Sequence, residues 1–187
     1  SNGTWTKPSN ADDFLDPVFH NFSTGDIEVN SSGYGIALWS SFQNYDARVF
    51  FSERINGTWV EVDDFDSYYS SGSTEAYAKV LSDNSAFIAR IDHQYQDPGV
   101  FISQRSSNGV WDHAGENDSI SLGGEPEQIR LLANENGRIA VIWTEICAAE
   151  SNKLAVLMAI KPSAQENWIY PDDCSDDNIF GPVFGID

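Results

Sequence analysis

Three residues suited to holding a ligand, Trp39, Arg90 and Trp143, stand 51 and 53 positions apart in a chain of 187 residues. Each closes a similar stretch: GYGIALW (33–39), NSAFIAR (84–90) and GRIAVIW (137–143). An indole offers a flat face to a sugar ring, and a guanidinium grips an anion through a planar fork of donors. Two readings of the trio are open. Either it forms ligand-binding groups at one repeated position, or it packs between repeats with Arg90 paired to a local carboxylate.

Two acidic clusters offer oxygen ligands, DDFD (63–66) and DDCSDD (172–177). Calcium takes six to eight oxygens, so Asp172, Asp173, Asp176 and Asp177 form the favoured candidate calcium site, the alternative being a solvated loop. The three histidines lack the spacing of a zinc site. No serine-nucleophile elbow, phosphate-binding loop or Cys–His pair occurs, so no catalytic residue is assigned.

Cys147 and Cys174 are separated by 27 positions. A disulfide between them would contribute about 3.5 kcal/mol in the chain-entropy account, and the alternative is two buried thiols. Five Asn-x-Ser/Thr sequons begin at Asn2, Asn21, Asn30, Asn56 and Asn117, which a glycosylating host would modify only in a secreted protein. Acidic, lysine-poor, turn-rich composition with a cysteine pair points to a secreted or cell-surface setting. A net charge of −19 with ten Lys plus Arg argues against nucleic acid and anionic membrane as partners. No apolar run reaches the roughly 18 residues of a membrane-spanning helix.

The elements that must position these residues follow from a repeat. Asn-Gly-x-Trp ends at Trp5, Trp59 and Trp111, and a looser form ends at Trp168, at intervals of 54, 52 and 57 residues. VFFSER (49–54) returns as VFISQR (100–105) and, loosely, as VLMAIK (156–161). DDFLDPVF (12–19) returns as DNIFGPVF (177–184). Each period reads as four short strands joined by hairpins, with Asn56-Gly57 suited to a two-residue turn that needs positive φ twice. Runs such as IALW and IAVIW are apolar at successive positions, so both faces of those strands are predicted to be buried.

A four-stranded unit of that kind must stack on copies of itself. The predicted fold is therefore all-β, a series of β-propeller blades, about three plus part of a fourth. The repeats run approximately 8–62, 63–115 and 116–171, with 1–7 and 172–187 belonging to incomplete or shared blades. Three blades are too few to close a ring. The expectation is a fragment of a larger propeller, or a half completed by a second copy.

The outer hairpins resemble the Asp-box repeats of sialidase-like propellers, Ser-x-Asp-x-Gly-x-Thr-Trp. SERINGTW (52–59) keeps the Ser, Thr and Trp, with Arg54 in place of the Asp and Asn56 in place of the Gly. The resemblance implies a fold and carries over no catalytic residue. Two functions follow as expectations: a non-catalytic module that binds protein or glycan or builds an extracellular assembly, or part of a sialidase-like glycoside hydrolase whose catalytic blades lie elsewhere.

Overall fold

The computed structural model describes residues 22–43, 46–64, 75–93, 98–114, 118–134, 136–147, 153–163 and 166–171. Eleven strands occur among them. The first sheet holds β1 (Phe22–Val29), β2 (Gly35–Gln43), β3 (Asp46–Ile55) and β4 (Thr58–Asp64). The second holds β5 (Ala76–Val80), β6 (Ala86–Asp92), β7 (Gly99–Arg105) and β8 (Trp111–Asp112). The third holds β9 (Glu125–Ala133), β10 (Ile139–Cys147) and β11 (Lys153–Lys161), and Ile169 bridges to Ile160 where a fourth strand begins. Every sheet is an antiparallel meander in chain order. Among the described residues no helix is long and apolar enough to cross a membrane.

The sheets stack face to face. β5 packs on β1 and β2, and β9 packs on β5, β6 and β7. All seven residues of β6 are buried. Because side chains alternate along a strand, Phe87, Ala89 and Ile91 join Ile129, Val141 and Trp143 in one core layer. Ala86 and Ile88 join Ile36, Leu38 and Phe51 in the other. Such radial succession of four-stranded sheets is the architecture of β-propeller blades.

The turns repeat as the strands do. Gly33, Asn84 and Gly137 all have positive φ (84°, 67° and 76°), each closing the first hairpin of its blade. The same pair of backbone bonds forms each time, for example Asn30 N to Tyr34 O at 2.9 Å and Asn134 N to Arg138 O at 3.0 Å. At the outer hairpin of the first blade Asn56 and Gly57 have φ of 51° and 84°, as a two-residue hairpin turn requires.

A cation stands at or next to the end of the third strand of each blade, and in the first two blades it ties two hairpins together. Arg54 Nη1 donates to Gly33 O at 2.6 Å, and Arg105 Nη1 to Asn84 O at 2.9 Å. Arg105 also reaches the first blade. Its Nε lies 2.6 Å from Glu53 Oε1, and its guanidinium sits 4.5 Å from the Tyr34 ring centre. The Tyr34 hydroxyl (2.6 Å) and the Trp111 indole N–H (3.2 Å) donate to the same carboxylate oxygen. Burial, with Glu53 beside it, pushes the Tyr34 phenol far above its ordinary range.

Removing one member of a buried ion pair strands the other charge, at a cost of about 3–5 kcal/mol. Arg105→Met is expected to lose about that much stability in urea unfolding. Glu53→Met combined with Arg105→Met is expected to lose less than Arg105→Met alone. A double variant no more stable than that single one would show that the pair does not lock the first two blades.

Candidate functional site

Trp39, Arg90 and Trp143 occupy equivalent registers, opposite Phe50, Phe101 and Leu157 on the third strand of each blade. Equivalence does not bring them together, because each points from the same flank of its own blade, the one away from the following blade. Trp39 lies on the flank of the first blade away from the second, half-buried and stacked on Phe50 at 6.1 Å. Arg90 is buried against the first blade, 5.0 Å from the Phe101 ring centre and 3.9 Å from Asp92. It also donates to Ser103 Oγ at 3.5 Å and Ala114 O at 3.4 Å. Burial lowers the Arg90 pKa and raises that of Asp92.

Trp143 is fully buried between the second and third blades, and its indole N–H donates to Glu145 Oε2 at 2.8 Å. The other oxygen of Glu145 accepts Leu122 N and Gly124 N, both at 2.8 Å. The link into the third blade is thereby fastened by one buried carboxylate. Gly124 is held to glycine there, since a Cβ would run into the Ile146 carbonyl.

Asp172, Asp173, Asp176, Asp177 and Cys174 lie outside the described residues, as do Asn2, Asn21 and Asn117. Cys147 ends β10 in register with Lys153. Asn30 gives its side-chain N–H groups to Leu81 O (2.7 Å) and Asn84 Oδ1 (2.8 Å), whereas Asn56 is exposed at its turn. Among the described residues no group of three or more His, Cys, Asp or Glu is placed to hold a metal ion.

Among the described residues two cavities stand out. The first, about 690 Å³, lies where the three first hairpins converge. Its polar lining is largely self-paired, as in the Lys79–Glu28 ion pair between neighbouring blades. The second is a groove of about 510 Å³ between the second and third blades. Ile102, Gln104, Asp112, His113 and Asp118 line one side, and Lys161, Asn167, Trp168 and Tyr170 the other. Trp168 and Tyr170 stack at 6.5 Å with an interplanar angle of 20°, and Trp111 and His113 stack at 5.4 Å and 10°. Lys161 lies 5.8 Å from the Trp168 ring centre and donates to Glu166 O at 2.7 Å. Burial lowers its pKa.

The groove is the open counterpart of the Glu53 lock. Strand registers pair Gly35 with Arg54, Ala86 with Arg105 and Ile139 with Lys161, which aligns the blades residue by residue. Ile102 and Gln104 then stand where Phe51 and Glu53 stand one interface earlier. Lys161 and Trp168 match Arg105 and Trp111, and Ser85 matches Tyr34. Smaller side chains at two of these positions leave room that the first interface fills. Sequence reasoning marked Lys161 and Trp168 only as repeat landmarks. The signal that pointed here was the divergence between aligned repeats, above all Glu53 against Gln104.

No protein-family model matches the sequence, and no curated protein matches it. Among solved structures the chain is similar to polysaccharide lyase Uly1, with a TM-score of 0.55 and 13% identity over 81% of this chain and 40% of that one. It is also similar to a fucose lectin from Kordia zhangzhouensis in complex with methyl-fucoside, with a TM-score of 0.50 and 11% identity over 81% of this chain and all of that one. The chain thus spans 40% of the length of the lyase. At such identities the likeness is one of fold, and the fold is that of propeller blades.

The Arg90–Asp92 pair gives a pH-dependent expectation. A carboxyl whose folded pKa is raised contributes stability that is present below its ordinary pKa and lost as pH rises through the raised value. Asp92→Asn removes that dependence. Its stability relative to the parent chain is expected to improve as pH rises above the ordinary carboxyl range, read in urea titrations at a series of pH values. A difference constant with pH would show that Asp92 titrates as an ordinary carboxyl.

Proposed function

We propose that the protein is a secreted or cell-surface propeller segment that binds a glycan, without catalysis, in the groove between its second and third blades. The observation that carries this reading is the stacked Trp168–Tyr170 pair lining a groove with Gln104, Asp112, Asp118, Lys161 and Asn167 around it. Aromatic faces take the apolar side of a sugar ring while amide, carboxylate and ammonium groups take its hydroxyls. The volume falls within the roughly 300–1,000 Å³ of small-ligand sites. The lectin of the same fold holds methyl-fucoside, which supports a sugar as the class of ligand. The Asp-box resemblance gains support from Ser52, whose hydroxyl crosses the outer turn to Val60 O at 2.7 Å. That bond belongs to the hairpin.

The outer flanks support a further partner. Ile27 (62% exposed) and Val29 face away from the second blade, as do Leu154 (61% exposed), Val156 and Leu132 at the other end. By the repeat they match surfaces that the described interfaces bury. The occupant we propose is another blade of this kind, from a longer parent chain or a second copy.

Two measurements test these readings. On a glycan array with calcium present the chain is expected to give discrete hits, and Trp168→Ala to weaken them at least about tenfold, as loss of a stacking platform does. An array without hits removes the glycan reading. In light scattering, self-association abolished by Leu154→Lys identifies the second copy. A monomer indifferent to that change removes the second copy as the occupant.

A further inference from the structure

The first interface already contains a bound carboxylate. Glu53 is held by Arg105 Nε at 2.6 Å, the Tyr34 hydroxyl at 2.6 Å and the Trp111 indole N–H at 3.2 Å. One interface further on the carboxylate is gone and much of its receptor remains. Gln104 is neutral where Glu53 is charged. Lys161 keeps the cation, buried and with one donor spent on Glu166 O. Trp168 keeps the indole, packed edge-on against Phe87 at 6.1 Å. Among the described residues its N–H has no acceptor. Among the described residues, an ammonium with donors to spare and an indole N–H without an acceptor therefore border the same groove.

We propose that this groove receives a carboxylate from its ligand, in a glycan that of a uronic acid residue, with Lys161 and the Trp168 N–H doing for it what Arg105 and Trp111 do for Glu53. The proposal rests on the glycan-binding reading of the same groove and narrows it to acidic sugars. Binding a charge in a partly desolvated groove needs a matched counter-charge and donors, and the lock shows that this scaffold supplies both. Asp112 and Asp118, on the opposite side, accept sugar hydroxyls and repel a second anionic group. A ligand with one carboxylate flanked by neutral sugars suits that distribution better than a densely charged chain.

The full chain is titrated calorimetrically with an oligosaccharide containing one uronic acid, with its carboxyl-reduced counterpart, and with acetate. The acid form is expected to bind at least about tenfold tighter than the reduced form, and acetate far more weakly than either, since charge-assisted bonds exceed neutral ones. Lys161→Met is expected to erase the preference for the acid, and Lys161→Arg to keep it. Gln104→Glu rebuilds the internal carboxylate and is expected to abolish acid binding while the melting temperature holds or rises. Equal affinity for the acid and reduced forms, both lost in Trp168→Ala, would overturn the carboxylate and leave the glycan site standing. Binding of neither form would remove both. Acetate binding as tightly as the oligosaccharide would overturn the sugar.

Discussion

A strand apolar on both faces cannot be covered by its own sheet. β6, buried at every position, needs one neighbour for Phe87, Ala89 and Ile91 and another for Ala86 and Ile88. Burying Phe87, Ile88 and Ile91 stabilises by about 1.5–3 kcal/mol each, so no arrangement leaving one face wet competes. The stacking of sheets follows from this, and so does the recurrence of the same hairpin at the start of each blade. The first strands must meet along one line, and the three hairpins with positive φ at Gly33, Asn84 and Gly137 return the chain there at equivalent places.

Stacking creates a second problem, because it buries polar groups at the ends of the strands. The chain meets it with side chains that reach across elements. Arg54 and Arg105 satisfy the carbonyls of Gly33 and Asn84, and Glu145 gathers two backbone N–H groups with the Trp143 indole. Asp26 accepts Ala78 N at 3.0 Å and Glu75 accepts Ile129 N at 3.1 Å, each from the first strand of the following blade. Buried donors left unpaired would cost about 1–3 kcal/mol apiece, which makes these bonds conditions of the stacking.

The repeat was legible in the sequence because it is written in features of short range. Asn56-Gly57 encodes its own turn, and apolar runs such as IAVIW announce two buried faces. The equivalence of Trp39, Arg90 and Trp143 was legible for the same reason. That equivalence splits them among three flanks rather than gathering them is a property of stacking and has no local signature. Arg54 and Arg105 reach from the outer turn to the first hairpin of their own blade, a contact set by the pairing of β2 with β3 and of β6 with β7 and carrying no local signature. Asp63 and Asp64, taken from the sequence only as possible oxygen ligands, fall within β4. The strand extends to them because Phe50 pairs with Asp64 past a register shift, a long-range choice that composition does not reveal.

The groove was the least legible feature, and the reason is physical. A lock and a site are built from the same positions and differ in what is left unsatisfied. At the first interface Tyr34, Phe51 and Glu53 occupy the space, and Glu53 neutralises Arg105 and accepts the Trp111 N–H. At the second, Ile102, Ser85 and Gln104 occupy less and accept less, so Lys161 and Trp168 keep capacity for something else. That capacity has a cost in stability, and the buried Glu145 network and the large apolar layer around Trp143 offset it on the same interface. Repetition lets the chain close one polar corner of an interface with its own carboxylate while the equivalent corner of the next interface goes without it. Function in such a chain is to be sought where aligned repeats disagree at buried polar positions.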